Sequence, residues 1–288
     1  MPQSTSHPIL FFGLLTLDLQ YFVSTLPGPN DKIRAEDALI DIGGPATNAA
    51  ATCSHLGSEV TLLSALGQSP LASFFLQKLE EHGVRFRDLT PDRVSLPPVA
   101  SIYTLPDGQR SVVVAKKAFA PNFSADLWVP LDGEFSALLL DGSFMPLAQK
   151  AAQWARSRNI PVVLDGGSWK EGTEDLLPWV DYAICSEDFK VPGGEDVLAY
   201  LADRGVAYRA ISKGGEAIVF EDHGQSGEIE VPRVKVVDTL GAGDVLHGAF
   251  CHFLAKEESF AMTLRSAAEV ASYSCQFRGA KSWMDHLR

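Results

Sequence analysis

The chain has 288 residues, 46% of them hydrophobic and 21% charged, which is enough for one large globular core. Its 36 acidic residues against 24 Lys and Arg give a formal net charge of -12. That excludes the basic footprint of a nucleic-acid partner, but a few local donors can still hold an anionic small molecule on an acidic protein.

In chain order, the first apolar run, "ILFFGLLTL", has no basic flank, is too short to span a bilayer and meets Asp18 at once. It predicts a buried strand over 9–15 and no membrane segment. Further short apolar runs fall at 60–65, 137–141, 161–165, 182–185, 207–212 and 217–221. Between them, "ATNAAATCSHLG", "LASFFLQKLEEHG", "PLAQKAAQWARSRN" and "EDVLAYLADRG" space their apolar residues helically, and all but the third end on the Gly that commonly follows a helix. The alternation predicts an α/β fold with a mostly parallel sheet covered on both faces. Segments 18–42 and 95–117 break the rhythm with alternating polar and apolar residues and the turn "PDGQ". They predict antiparallel strands forming a small lid over the C-terminal edge of the parallel sheet, where open α/β sheets bind ligands. Cys53, Cys185, Cys251 and Cys275 are scattered without metal-ligand spacing and indicate reduced thiols in a cytoplasmic protein.

The stretch "VVDTLGAGDVLHGAF" carries the densest chemistry. The extended "EIEVPRVKVV" precedes it and a helical period follows, so Gly241, Ala242 and Gly243 are expected where a strand delivers the chain to a helix N-terminus. Free N–H groups and the positive end of the helix dipole meet there, which suits a phosphate. Asp244 is then either a base beside an anion site or simply a helix cap. The pattern is neither a dinucleotide fingerprint nor a P-loop.

"DTLGAGD", "GGPATNAAATCSHLG" at 43–57 and "GLLTLD" at the first strand, in this order, resemble the ribokinase-like (pfkB) carbohydrate kinases over nearly the whole chain. The similarity is greatest to the ketohexokinase and fructokinase branch, including kinases of sulfonated fructose, through "RVKVVDTLGAGD", "DGQRSVVV", "VASYSCQFRGA", "GGPATNAAA" and "CSEDF". The resemblance implies a single kinase domain over 1–288, a three-layer αβα core with a small β lid, and ATP-dependent phosphorylation of a sugar hydroxyl of the ketose or fructose type. Asp244 would be the general base, and the N–H groups of Gly241, Ala242 and Gly243 the anion hole for the transferred phosphoryl. Asp238 and Thr239 would hold the turn beside the nucleotide and help carry a monovalent cation.

On the sugar side the resemblance implies Asp18 as acceptor, Gly43 and Gly44 as close backbone, Asn48 as donor and acceptor, Arg110 reaching back from the lid, and Asp141. Asp165 would organise phosphate or metal, or cap a helix. Ser212, Lys213 and Gly214 would face the triphosphate, with Cys275 and Gly279 bordering the adenine. Where relatives often carry Asn-x-x-Glu, this chain has Ser186 and Phe189, which leaves Glu187 or Asp188 for a water-mediated Mg²⁺ role. His247 is either a helix-face residue or one that grazes the site. Exposed lid edges imply a homodimer. Alternatives are a nucleoside kinase or a kinase of a sulfonated or phosphorylated sugar, the latter kept open by Lys32, Arg34, Arg110, Lys116 and Lys117. A non-catalytic sugar sensor is opposed by retention of the carboxylate and the glycines.

Overall fold

Apolar runs such as "ILFF" and "ALLL" have no polar face and become strands buried at every position. The computed structural model describes residues 7–94, 96–115, 123, 125–254, 256 and 259–287. Lys116, Lys117 and Ser95 of the expected lid segment lie outside the described residues. The chain runs through β1 (Ile9–Phe12), β2 (Thr16–Phe22), β3 (Asp37–Gly43), α1 (Pro45–His55), β4 (Val60–Ser64), α2 (Ala72–Glu81) and β5 (Val84–Asp88). It continues as β6 (Val99–Thr104), β7 (Arg110–Val114), β8 (Ala137–Leu140), α3 (Met145–Ser157), β9 (Val162–Gly166), α4 (Thr173–Leu176) and β10 (Tyr182–Ser186). The last elements are α5 (Val197–Asp203), β11 (Tyr208–Ser212), β12 (Ile218–Asp222), β13 (Gln225–Ile229), α6 (Ala242–Leu254) and α7 (Phe260–Ser274).

Among the described residues the main sheet has the order β13-β12-β11-β10-β9-β8-β1-β4-β5. It is parallel from β11 to β5, with β12 and β13 added as an antiparallel hairpin at one edge. Successive residues of β1 point to opposite faces: Ile9 and Phe11 enter the core shared with α1, α2, α6 and α7, while Leu10 and Phe12 enter the core of α3, α4 and α5. The seven apolar runs coincide with β1, β4 and β8 to β12, within one or two residues except at the end of the first, which stops at Phe12. There the chain leaves the sheet at Gly13 and starts again as β2.

A second, smaller sheet has the order β3-β2-β6-β7. Two of its pairings are antiparallel as expected, but β2 and β6 run parallel. Both leave the same edge of the main sheet, β2 after β1 and β6 after β5, and therefore run in the same direction.

The strand order reverses between β1 and β8, the crevice where open α/β sheets hold ligands. Asp141, just after β8, closes it from below. Its Oδ2 accepts from Leu14 N at 2.8 Å and Ala46 N at 3.3 Å, and its Oδ1 from Ser143 N at 2.9 Å. The carboxylate thus fastens β1, α1 and the β8 loop together.

Candidate active site

Asp244 lies in the first turn of α6. A loop, not the expected strand, delivers the chain there: "EIEVPRVKVV" is extended in a ladder only as far as Ile229, and Pro232 has no N–H to continue it. Asp238, 2% exposed, holds this loop. Its Oδ1 accepts from Leu240 N at 2.9 Å, and its Oδ2 from Gly279 N at 2.9 Å and Gln20 Nε2 at 2.6 Å. Gln20 also donates to Thr104 Oγ1 at 2.8 Å, so β2, β6, the C-terminal segment and the glycine loop meet at one buried carboxylate. The β6–β7 hairpin touches the same loop, because Arg110 Nη1 donates to Thr239 Oγ1 at 2.6 Å.

Past Gly241 the chain enters α6. Ala242 N is taken by Thr239 O at 3.2 Å, but the N–H groups of Gly241, Gly243 and Asp244 have no acceptor among the described residues. Unpaired donors at the positive end of a helix are an anion cradle. All four residues line a cavity of about 860 Å³.

Asn48, 4% exposed on α1, donates from Nδ2 to Asp244 Oδ2 at 2.7 Å. This contact depends on how closely the two helices pack. At Gly248 of α6 a Cβ would lie 2.2 Å from Ala49 O of α1, so only glycine permits the approach. Burial, and then the charge of Asp165, push the Asp244 carboxyl up to about 7, against the Asn48 hydrogen bond and the His247 side chain.

Asp18 stands on β2, where Thr16 Oγ1 donates to its Oδ1 at 2.6 Å. A Cβ at Gly43 on the paired strand β3 would sit 1.9 Å from Asp18 Oδ2, so the missing side chain makes room for this carboxylate. Burial raises the Asp18 carboxyl above its usual range, while Thr16 and the charge of Lys281 act against the rise. Gly44 follows as the residue before α1, at φ 98°.

Ser212, Gly214, Thr239 and Cys275 line the cavity beside Glu187 and Asp188, whose side chains are exposed at its rim. Ile218, Val231, Leu246, Ala268 and Ala271 give it an apolar wall. Lys213 is exposed and off the wall, and Gly279 reaches Asp238 instead. Arg110 lines this same cavity, next to the cradle. Sequence reasoning missed Arg233 and Gly167 on the wall, and Gln20 behind the loop. For Arg233 the only signal was a basic residue within an apolar run; for Gln20 there was none. Among the described residues no group of three or more His, Cys, Asp or Glu is arranged to hold a metal ion, and no helix is long and apolar enough to cross a membrane.

An ionisable carboxylate against a cradle of unpaired N–H groups, at the ligand-binding edge of an open sheet, is equipped to handle a hydroxyl and a phosphate together. The comparisons agree with that class. The chain belongs to the pfkB family of carbohydrate kinases, whose model matches residues 6–286. It is an ATP-dependent sugar kinase with the ribokinase-like fold. It is 26% identical to the ribokinase of Lactococcus lactis, covering 96% of this chain and 93% of that one. It is 22% identical to the ketohexokinase of Mus musculus, covering 94% and 97%. The solved structure of Arabidopsis thaliana ribokinase with ribose and ATP superimposes at a TM-score of 0.74 with 22% identity, covering 98% of each chain.

Proposed function

We propose that the enzyme phosphorylates a hydroxyl of a ketose-type sugar, with Asp244 as general base. The carrying observation is Asn48: its Nδ2 holds Asp244, while its Oδ1 is buried and without a partner. A buried unpaired acceptor is costly, and a neighbouring hydroxyl of the docked sugar would satisfy it by donating to Oδ1 while the reacting hydroxyl donates to Asp244. In the reaction the sugar O–H gives its proton to Asp244, its oxygen bonds to the γ-phosphorus, and the bond to the β-phosphate oxygen breaks to release ADP. The N–H groups of Gly241, Gly243 and Asp244 stabilise the charge on the transferred phosphoryl. Asp18, with room made by Gly43, accepts from other sugar hydroxyls, and Arg110 neutralises phosphate beside the cradle. The ATP base lies along the apolar wall near Cys275, with Ser212, Gly214 and Thr239 on the phosphate path.

The small sheet is the lid: the Arg110–Thr239 and Gln20–Asp238 bonds tie it to the anion loop, and closure would exclude water from the reaction. Mg²⁺ requires few protein ligands because it keeps waters and binds phosphates, and the exposed Glu187 at the rim suits a water-mediated contact. When bound it would supply charge neutralisation to the phosphates. A monovalent cation near Asp238 and Thr239 rests on family resemblance alone. Exposed Val112, Val113 and Val114 on β7 and Ile40 on β3 favour a homodimer through the lid, and four free thiols favour the cytoplasm.

An uncharged sugar is favoured over a sulfonated or phosphorylated one. Lys32 and Arg34 are exposed, Arg110 is directed to the anion loop through Thr239, and the buried Lys281 donates to Ile42 O at 2.6 Å and lies 3.5 Å from Asp41. A second reading, ribose as acceptor, is favoured by the likeness to the Lactococcus enzyme. ADP release measured with fructose, ribose, deoxyribose, adenosine, sulfofructose and ketose phosphates decides among these. Preference for a ketose supports the proposal, and preference for ribose or a nucleoside overturns the acceptor class.

A further inference from the structure

His247 is one turn along α6 from Asp244 and only 4% exposed, yet both its ring nitrogens meet polar atoms. Nδ1 lies 2.7 Å from Gly243 O, and Nε2 lies 3.0 Å from Ile184 O on β10. A backbone carbonyl accepts and never donates, whereas a neutral imidazole has one N–H and one bare lone pair. Either neutral tautomer would press a lone pair against a carbonyl oxygen in a buried site. Only the imidazolium satisfies both contacts.

The surroundings agree with a cation there. Asp165, at the end of β9 and 8% exposed, places Oδ2 at 3.6 Å from Nδ1. Asp244 lies on the same helix. The thiols of Cys185 on β10 and Cys251 on α6 are pushed up by burial and stay neutral. Asp141 and Lys170 act on Asp165 with opposite signs, and Asp18 acts on Asp244. Two buried carboxylates that repel one another thus share His247 as a neighbour.

The Gly243 carbonyl held by His247 belongs to the same peptide unit as the Asp244 N–H, one of the unpaired donors of the anion cradle. A charged N–H on the carbonyl side polarises that peptide and strengthens the donor on its other side.

We infer that His247 is held as an imidazolium and is a positioning residue for phosphoryl transfer: it fixes and polarises the Gly243–Asp244 peptide and eases the ionisation of Asp244 beside Asp165. The first half stands on the ring contacts alone. The second half rests on the reading of Asp244 as base.

Two measurements separate these parts. In ¹⁵N-histidine-labelled enzyme, both His247 ring nitrogens should carry protons at pH 7.5, where an unperturbed histidine is mostly neutral. The signal is assigned from His247→Gln or, should that variant not fold, by replacing the other six histidines in turn. A neutral-tautomer signature would overturn the inference whatever Asp244 does. In the pH profile of kcat/KM, His247→Gln should move the acid limb to higher pH by about one pH unit, with a plateau lower by about tenfold or more. A lower plateau with an unmoved limb would reduce His247 to a structural residue. Should the NMR signature hold while Asp244→Asn keeps full turnover, the base assignment fails and the imidazolium stands.

Discussion

Asn48 and Asp244 are 196 positions apart and meet at 2.7 Å, with the second amide atom of Asn48, Oδ1, left buried and unpaired. The pair presents one fixed carboxylate and one unsatisfied acceptor to whatever docks above the cradle. Its arrangement makes the proposed base and the proposed substrate-holding group a single unit, so their mutational effects should not add.

Asp244→Asn keeps the shape of that pair, since an amide oxygen still accepts from Asn48. Turnover should fall by ~10² to 10⁴-fold while sugar and ATP still bind. ADP release and calorimetric titration check the two halves. Turnover near that of the parent enzyme removes Asp244 from the role of base.

The same variant should be more heat-stable in alkali. The native Asp244 carboxyl sits at about 7 against an ordinary 3.8, so the fold favours its protonated form. Relative to the neutral form, the cost of ionising it in the native state builds as pH rises from about 4 through about 7, and is fully present above that. Asp244→Asn removes the cost, so its Tm should exceed that of the parent at pH 8 and converge with it only below about pH 4, where the carboxyl is protonated in the unfolded chain as well. Each kcal/mol is worth about 2–4 °C in a chain of this size. Parallel melting curves at both values would refute the idea.

Activity should follow the same ionisation with the opposite sense. A base works only when deprotonated, so kcat/KM should climb as pH rises through about 7 and level off above it. A profile flat from pH 5 to 9 would leave no place for this carboxylate in the rate.

Gly43→Ala places a methyl 1.9 Å from Asp18 Oδ2, in a spot only the carboxylate can vacate. Displacing Asp18 should raise the KM for sugar roughly 10–100-fold while leaving the KM for ATP unchanged. An equal rise in both would move Asp18 out of the sugar site.

Gly248→Ala acts elsewhere. Its methyl would collide with Ala49 O, a backbone atom that cannot rotate aside, and α1 must separate from α6. Stability should fall by about 1–3 kcal/mol by urea titration, with the loss of activity following from the stretched Asn48–Asp244 contact. A variant as stable as the parent would mean that the two helices are less tightly set than their packing implies.

Much of this protein was written locally in its chain. Runs such as "ILFF" and "VVLDG" have one stable outcome, a strand covered on both faces, and the alternation with helical stretches leads to a parallel sheet. The glycines of "LGAGD" before an apolar helical period announced a helix N-terminus with free donors, since that is a property of neighbouring residues. The sequence pattern also marked the segments of the small sheet, although not the parallel pairing of β2 with β6, which depends on where both strands leave the main sheet. Contacts over long separations were decided by the tertiary structure alone. Nothing near Asp238 says that it will bond Gln20 and Gly279, nothing near Asp141 that it will clasp Leu14 and Ala46, and nothing near His247 that both its ring nitrogens will meet backbone carbonyls. Local pattern settles what each segment becomes, because propensity and periodicity act between near neighbours. Burial and charge at the site are sums over segments far apart in the chain, and exist only once the sheet has brought them together.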